Sequence, residues 1–329
     1  MIPIIKEGAF DSDIRSQVNA NFQQAAGISS GNLYFLDPLN GADLNSGLYP
    51  SQAVKTLAAG YALLVEGHND VLVLIGNGLT TASARLSVSF TWSKNAAHLV
   101  GVCAPGYISN RARIAPTAGA TAYTPMFTLS GSGCFLSNVQ WFHGFGTGTT
   151  SQIGLVVSGG RNVFDHCAID GIGDAASAAS AGSRSLKIST TGENYFRKCS
   201  IGLDTVSRGA ANASLEFSGG CPRNVFEECL FPLWASASTP LGIIVSAAAG
   251  SDRFQYFNRC VFINAIKSTG TIMSGLATLA ASMGGMLVFK DCTLVGVSSF
   301  GTDSTSLGQI YVDGAVPTGA TTGVAVNAA

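Results

Sequence analysis

Phe164-Asp-His-Cys167, Phe196-Arg-Lys-Cys199, Phe226-Glu-Glu-Cys229, Phe257-Asn-Arg-Cys260 and Phe289-Lys-Asp-Cys292 are five copies of one F-x-x-C element, and their cysteines step by 32, 30, 31 and 32 residues. A fixed period of this size marks a stacked repeat. Two positions before each phenylalanine stand Asn162, Asn194, Asn224, Gln255 and, last, Leu287. About ten residues upstream a second apolar strand recurs, as Leu155-Val-Val-Ser158, Leu186-Lys-Ile-Ser189, Leu215-Glu-Phe-Ser218 and Ile243-Ile-Val-Ser246. Met126 to Ser130, followed by Phe135-Leu-Ser-Asn138, reads as an earlier, degenerate copy.

These segments are short, β-branched or aromatic, and punctuated by Gly and Asn, whereas helical solenoids of similar period need amphipathic helices. The fold they predict is all-β, a single-stranded parallel β-helix of about eight coils, one coil per repeat. Coils stack at ~4.8 Å, so equivalent positions form ladders. Phe164, Phe196, Phe226, Phe257 and Phe289 form one interior row. Cys167, Cys199, Cys229, Cys260 and Cys292 form another, as small, weakly polar core residues. Strict alternation would put residues three apart on opposite faces, so F-x-x-C must contain a corner. The pairs Asp165-His166, Arg197-Lys198, Glu227-Glu228, Asn258-Arg259 and Lys290-Asp291 lie on it and point outward. Their alternating sign, like that of Lys187 and Glu216, reads as an ion-pair ladder that sets register. Stacked cysteines on parallel coils keep their β-carbons too far apart for disulfides, so free thiols are expected.

The chain has 329 residues, 47% of them hydrophobic and only 11% charged, with a net charge of −1. The charge balance excludes a nucleic-acid binder that works by neutralising phosphates. A surface so poor in charge is expected to be covered by copies of itself or by another protein. The N-terminus has no basic region leading into an apolar stretch, so no signal peptide is expected. The uncharged stretch from Ser268 to Phe289 is rich in Gly, Ser and Thr and is not expected to cross a membrane.

Four segments are predicted. Residues 1–30 form a docking arm with a short helix over Asp11–Ala26, whose stripe Ile14, Val18 and Phe22 seats on a partner or on a symmetry mate. Residues 31–70 form an opening segment and an apolar helix that caps the first coil. Residues 71–312 form the β-helix, and 313–329, small and nearly uncharged, a docking tail.

The stretch Tyr34 to Leu57 follows the pattern Y-x-x-D-P-x-x-G-x-D-x-N-x-G-x-x-P-x-x-A-x-x-T-L. It resembles the opening of right-handed parallel β-helix proteins of the pectate-lyase-like superfamily, where this segment precedes the capping helix. Phe10 to Phe22 is similar to the openings of tailed-bacteriophage virion proteins. The whole chain resembles phage-encoded β-helix proteins that coat heads or form tail spikes, typically as trimers. The resemblance implies a right-handed coil and a non-enzymatic virion component. Its role would be a homotrimer that decorates or cements the head, with the chain itself and shell proteins such as the major capsid protein as partners. It would be assembled in the host cytoplasm, with no cofactor, nucleic acid or membrane. The alternative is a tail spike that binds or cleaves host-surface polysaccharide, although the chain is short for one. A cellular carbohydrate-binding β-helix would need an export signal.

Polysaccharide-cleaving members of the superfamily need clustered acids, or a calcium-bound carboxylate group with a basic partner, and the runs N-T-D, D-D, G-H-G and R-I-K are absent. The remaining catalytic candidates are Asp170, Asp174, Asp204 and Arg208, expected on loops after successive coils; solvated loop charges are the other reading. Asp37, Asn40, Asp43 and Asn45 offer oxygen ligands at calcium-like spacing, or Asx-turns that shape the loop. His68, His98, His143 and His166 are scattered. Gly144-Phe-Gly-Thr-Gly148 reads as a strand-end turn, with no helix pattern after it to make a phosphate loop. Trp141, Phe142 and Trp234 serve either as sugar platforms or as core and subunit contacts.

Overall fold

The computed structural model describes residues 31–313, apart from 105, 107, 118–122, 145–150, 266–269 and 302–308. The arm with Ile14, Val18 and Phe22, and the tail beyond 313, lie outside the described residues. So does 145–148 of the glycine-rich stretch.

Among the described residues three parallel sheets of ten, nine and seven strands run along the molecule, and each complete coil contributes a strand to each in turn. We call them faces 1, 2 and 3, in chain order within a coil. Seven turns carry all three strands. Among the described residues the eighth has Met286–Lys290 on face 1, Thr293–Val295 on face 2 and the bridge Ala277↔Gly301 on face 3. Among the described residues the expected coil count of about eight is therefore seven complete turns and a partial one, after which Ile310–Val312 adds a last strand to face 1. The opening segment is not separate from the solenoid, because Leu33–Leu36 pairs with Val71–Ile75 as the first strand of face 1.

Register follows the repeat. Phe164, Phe196, Phe226, Phe257 and Phe289 stand directly opposite one another on consecutive coils. Their rings stack with centroids 4.5, 4.7, 4.8 and 4.9 Å apart and planes within 14° of parallel. That separation is the hydrogen-bonded strand spacing, so the backbone ladder dictates the ring geometry. In the earlier coil it is Leu136, not Phe135, that faces Phe164. Phe135 precedes the corner by one residue more and points outward.

The corner has a single device. Asn138, His166, Lys198, Glu228, Arg259 and Asp291, the residues before the valine or cysteine, all have φ between 50° and 56°. A left-handed non-glycine residue costs ~1 kcal/mol, yet the ladder continues around it. The N–H groups of His166, Lys198, Glu228 and Arg259 donate to carbonyls of the next coil at 2.8–3.0 Å. Each cysteine then turns inward, and its Sγ lies 3.4–3.5 Å from a carbonyl of the previous coil: Cys167 at Leu136, Cys199 at Phe164, Cys229 at Phe196, Cys260 at Phe226 and Cys292 at Phe257. A thiol is small enough for the row and supplies a weak donor there. All eight cysteines are free.

A second interior row is polar. The Asn162 amide oxygen accepts from Cys134 N, that of Asn194 from Asn162 N, and that of Asn224 from Asn194 N, at 2.8–3.1 Å. Asn194 also donates to Asn224, and Asn224 to Gln255. All are essentially unexposed. The preceding residues Arg161, Glu193 and Arg223 are left-handed, and the amides carry hydrogen bonds across that turn. Asn194→Ala would leave the buried Asn162 N–H without an acceptor, a loss of ~1–3 kcal/mol. A fall in the urea midpoint with unchanged slope is expected, and an unchanged midpoint would contradict this role for the row.

The helix Leu57–Leu63 starts at Thr56, whose hydroxyl accepts from Ala59 N. Leu57 and Gly60 are buried against the first coil. A β-carbon at Gly60 would come within 2.8 Å of Leu72 Cδ1, so glycine permits the close approach that closes this end of the core. Among the described residues no helix is long and apolar enough to cross a membrane.

Candidate functional site

The outward side of face 2 carries a buried ionisable group, Asp170. Ile114, Trp141 and Ile169 point into the core, so alternation turns Arg113, Gln140 and Asp170 outward on three consecutive strands. They are nonetheless only 6%, 1% and 3% exposed. Arg113 Nε donates to Gln140 Oε1 at 2.7 Å, and Gln140 Nε2 donates to Asp170 Oδ2. The Arg113 guanidinium also lies 4.6 Å above the Phe142 ring. Burial pushes the Asp170 carboxyl up to about 7; Gln140 and Arg113 oppose this, and the Asp204 charge adds to it. The same burial, with Arg111 nearby, lowers Arg113 to about 10.

The sequence candidates do not assemble into one site. Asp170 is in the strand Ala168–Asp170 and Arg208 in the strand Ser207–Arg208, not on loops. Arg208 is fully buried. It donates to Ser214 Oγ at 3.0 Å and to Leu241 O at 2.8 Å, and burial lowers it to about 9. Its role in this geometry is to tie two coils together. Asp174 caps the short helix Ala175–Ala178 through Ser177 N at 2.9 Å. Asp204 is a half-buried loop residue. Arg113 and Gln140 were not singled out from the sequence, because neither belongs to a repeated motif; only the alternation around Trp141 would have pointed to them.

The opening-loop oxygens are engaged one by one. Asp37 accepts from Leu39 N and from the backbone and side chain of Asn40. Asp43 accepts from Lys55 N, Thr56 N and the Thr56 hydroxyl, and Asn45 donates to Ala53 O. Burial tends to raise both carboxyls, but these donors hold them below the usual range. Each group pins a turn, and among the described residues no cluster of His, Cys, Asp and Glu could hold a metal.

His98, His68 and the charged pairs are similarly occupied. His98 is buried, accepts from Phe135 N at 2.9 Å, and is lowered to about 4 by burial, so it is neutral. Asp70, fully buried, accepts from Asn32 N, Val65 N and His68. The corner charges pair across coils: Arg197 to Asp165 at 2.8 Å, and Arg259 to Glu228 at 2.7 Å and Glu227 at 3.3 Å. Glu216, nearly buried, takes Arg184 at 2.7 Å and Lys187 at 3.3 Å. Trp141 is core, whereas Phe142 and Trp234 are partly exposed.

Two open grooves lie elsewhere. One of about 550 Å³ is lined by residues including Ser238, Thr239, Leu241, Ser274 and Thr278. The other, of about 410 Å³, is lined mainly by alanines beside Val206 and Ser207. Among the described residues neither lining contains a titratable side chain.

A pectin methylesterase solved in complex with a hexasaccharide matches with a TM-score of 0.56 at 15% identity, covering 88% of this chain and 92% of its own. A pectate lyase matches with a TM-score of 0.57 at 13% identity, covering 88% and 76%. The likeness is one of fold. The chain folds as a right-handed parallel β-helix similar to that of the pectate lyase. No protein-family model matches the chain, and no curated protein does.

Proposed function

We propose that the chain is a structural component of a tailed-phage particle that works by docking, as a homotrimer decorating or cementing the head shell. The observation that carries this reading is where large apolar side chains remain exposed. Leu39, Leu44, Val65, Leu79, Val88, Val102 and Ile108 lie in the first coils, and Phe254, Ile272, Met286 and Val295 in the last. Among the described residues none lies between Ile108 and Phe254. The middle of the rod is finished with ion pairs and amides, while both ends present apolar surface suited to contact. The resemblance of Phe10 to Phe22 to virion openings supplies the phage context, and the whole chain's resemblance to phage-encoded β-helix proteins the trimer.

A second reading is a polysaccharide-binding or -cleaving spike. It is favoured by the fold shared with a hexasaccharide-bound esterase and by Asp170, a carboxyl near neutrality beside a guanidinium. The two part in one experiment. The purified protein is sized by light scattering and mixed with particles stripped of it and, separately, with host-surface polysaccharide. Trimers that bind the particles and leave the glycan intact support the decoration role. A monomer with no affinity for particles overturns it, and glycan cleavage lost in Asp204→Ala establishes the second reading.

A further inference from the structure

Over its later coils the outward side of face 1 carries three parallel rows of side chains. The middle row runs Val163, Tyr195, Val225, Tyr256, Val288 and Tyr311, each directly opposite the next. All six are half-buried, so apolar and aromatic surface stays open along five strand spacings, ~24 Å of the rod. On one side of it lies the corner row that begins Asp165, Arg197, Glu227. On the other side, two residues before each middle position, lie Arg161, Glu193 and Arg223, followed by the exposed Phe254 and Met286.

The two flanks have opposite sign at each charged level. Arg161 shares its coil with Asp165, Glu193 with Arg197, and Arg223 with Glu227. Among these six charges the ion pairs run only along the rod: Arg161 to Glu193 at 2.9 Å and Arg223 to Glu193 at 2.8 Å on one flank, Arg197 to Asp165 at 2.8 Å on the other. Four residues of extended chain, ~13 Å, separate the flanks, too far for an ion pair across the middle row.

We propose that this side of face 1 is where copies of the chain meet, side by side, pointing the same way and level with one another. The proposal rests on the homotrimer reading and names the surface it uses. Rotation about an axis parallel to the rod brings each flank against the opposite flank of the next copy at the same height. Arg161 then meets the partner's Asp165, Glu193 the partner's Arg197, and Arg223 the partner's Glu227, so all three levels are complementary at once. A slip of one coil sets like charges together: Arg161 on Arg197 and Glu193 on Glu227 in one direction, Glu193 on Asp165 and Arg223 on Arg197 in the other. An inverted copy centred on the middle level sets Arg161 against Arg223 and Glu193 against itself. Between the flanks the valine and tyrosine row packs on its own symmetry mates, an apolar and aromatic centre inside a charged rim.

The test uses the full chain carrying Tyr256→Cys or Val163→Cys, oxidised gently beside the parent chain, whose eight free thiols set the background. Each variant is expected to form chain-to-chain crosslinks that peptide mapping assigns to the introduced residue paired with itself. Self-pairing at both heights requires level, parallel copies, since an inverted neighbour meets itself at one height only. Thr128→Cys, outward on face 3, is expected to give none. In parallel, Tyr256→Asp is expected to lower the mass in light scattering threefold, to that of a single 33.7 kDa chain, with the β-sheet circular dichroism unchanged. Self-crosslinks at one height only, or at neither, in a parent that is trimeric overturn the inference and leave the trimer itself standing; so does a Tyr256→Asp chain that stays trimeric. A parent monomer overturns both readings. Crosslinked trimers with no affinity for particles uphold the interface and overturn only the decoration role.

Discussion

Phe226→Ala is expected to destabilise the rod by roughly 3–5 kcal/mol, the range for emptying a large aromatic site in a packed core. Phe226 is fully buried and stacks on Phe196 below and Phe257 above. It also meets Phe217 of face 3 edge-on at 6.1 Å and Phe231 of face 2 at 6.0 Å. The neighbouring coils are held apart by their backbone ladders, so they cannot collapse into the gap, and both stacking partners lose a face at once. Because each coil touches only its neighbours, a defect in the middle weakens coupling between the two halves. Chemical unfolding of the variant should therefore show an earlier onset and a broader transition. Phe289→Ala, within the partial turn, should be milder, since Phe300 at 4.9 Å already closes that end in a tilted contact. Phe226→Leu should recover most of the loss. A Phe226→Ala midpoint indistinguishable from that of the parent chain would refute the stack as the main support of the core.

The same rows explain what could be read in advance. Phenylalanine, cysteine and asparagine recur because parallel coils put equivalent positions in register, and a period repeated five times survives substitution in any one copy. Corners were legible as positions, since alternation cannot carry both Phe164 and Cys167 inward; their left-handed backbone was not, because His166, Lys198, Glu228 and Arg259 are not residues that announce it. Phe135 misled for a related reason: Leu136 fills the interior position and the motif letter sits one place outside it. The polar sites were the least legible. Asp170 and Arg208 follow strands in the sequence and look like loop charges, yet the strands run on through them, and whether a charge is buried depends on residues of other coils. Arg113 and Asp170 are 57 positions apart in the chain and meet through Gln140 only once three coils have stacked.

Asp170→Asn is expected to stabilise the protein at pH 8 while changing little at pH 4. In the folded chain the Asp170 carboxyl titrates at about 7, against an ordinary 3.8, with burial the largest cause. A carboxyl raised in this way binds its proton more tightly folded than unfolded. Stability therefore declines as pH climbs from about 4 to about 7, and the whole penalty, on the order of 4 kcal/mol at most, is present above that window. Below pH 4 both states are protonated and the penalty is absent. Arg113 does not reverse the sign: its attraction for ionised Asp170 is already contained in a value that remains far above the ordinary one, and Arg113 stays protonated at pH 8 with its own value near 10. Asparagine reproduces the neutral acid and still accepts from Gln140 Nε2. The carboxyls that pull the other way, Asp165 and Glu216, are held low by Arg197 and by Ser246 and Arg184 against the opposing effect of burial, and lose their contribution only in acid. They are common to both proteins, so the difference between the two stability curves isolates Asp170. Parallel curves across pH 4 to 8, or a variant weaker at pH 8, would mean that the carboxylate is ionised and held by its partners, and that the outer side of face 2 carries a paired charge in place of a suppressed one.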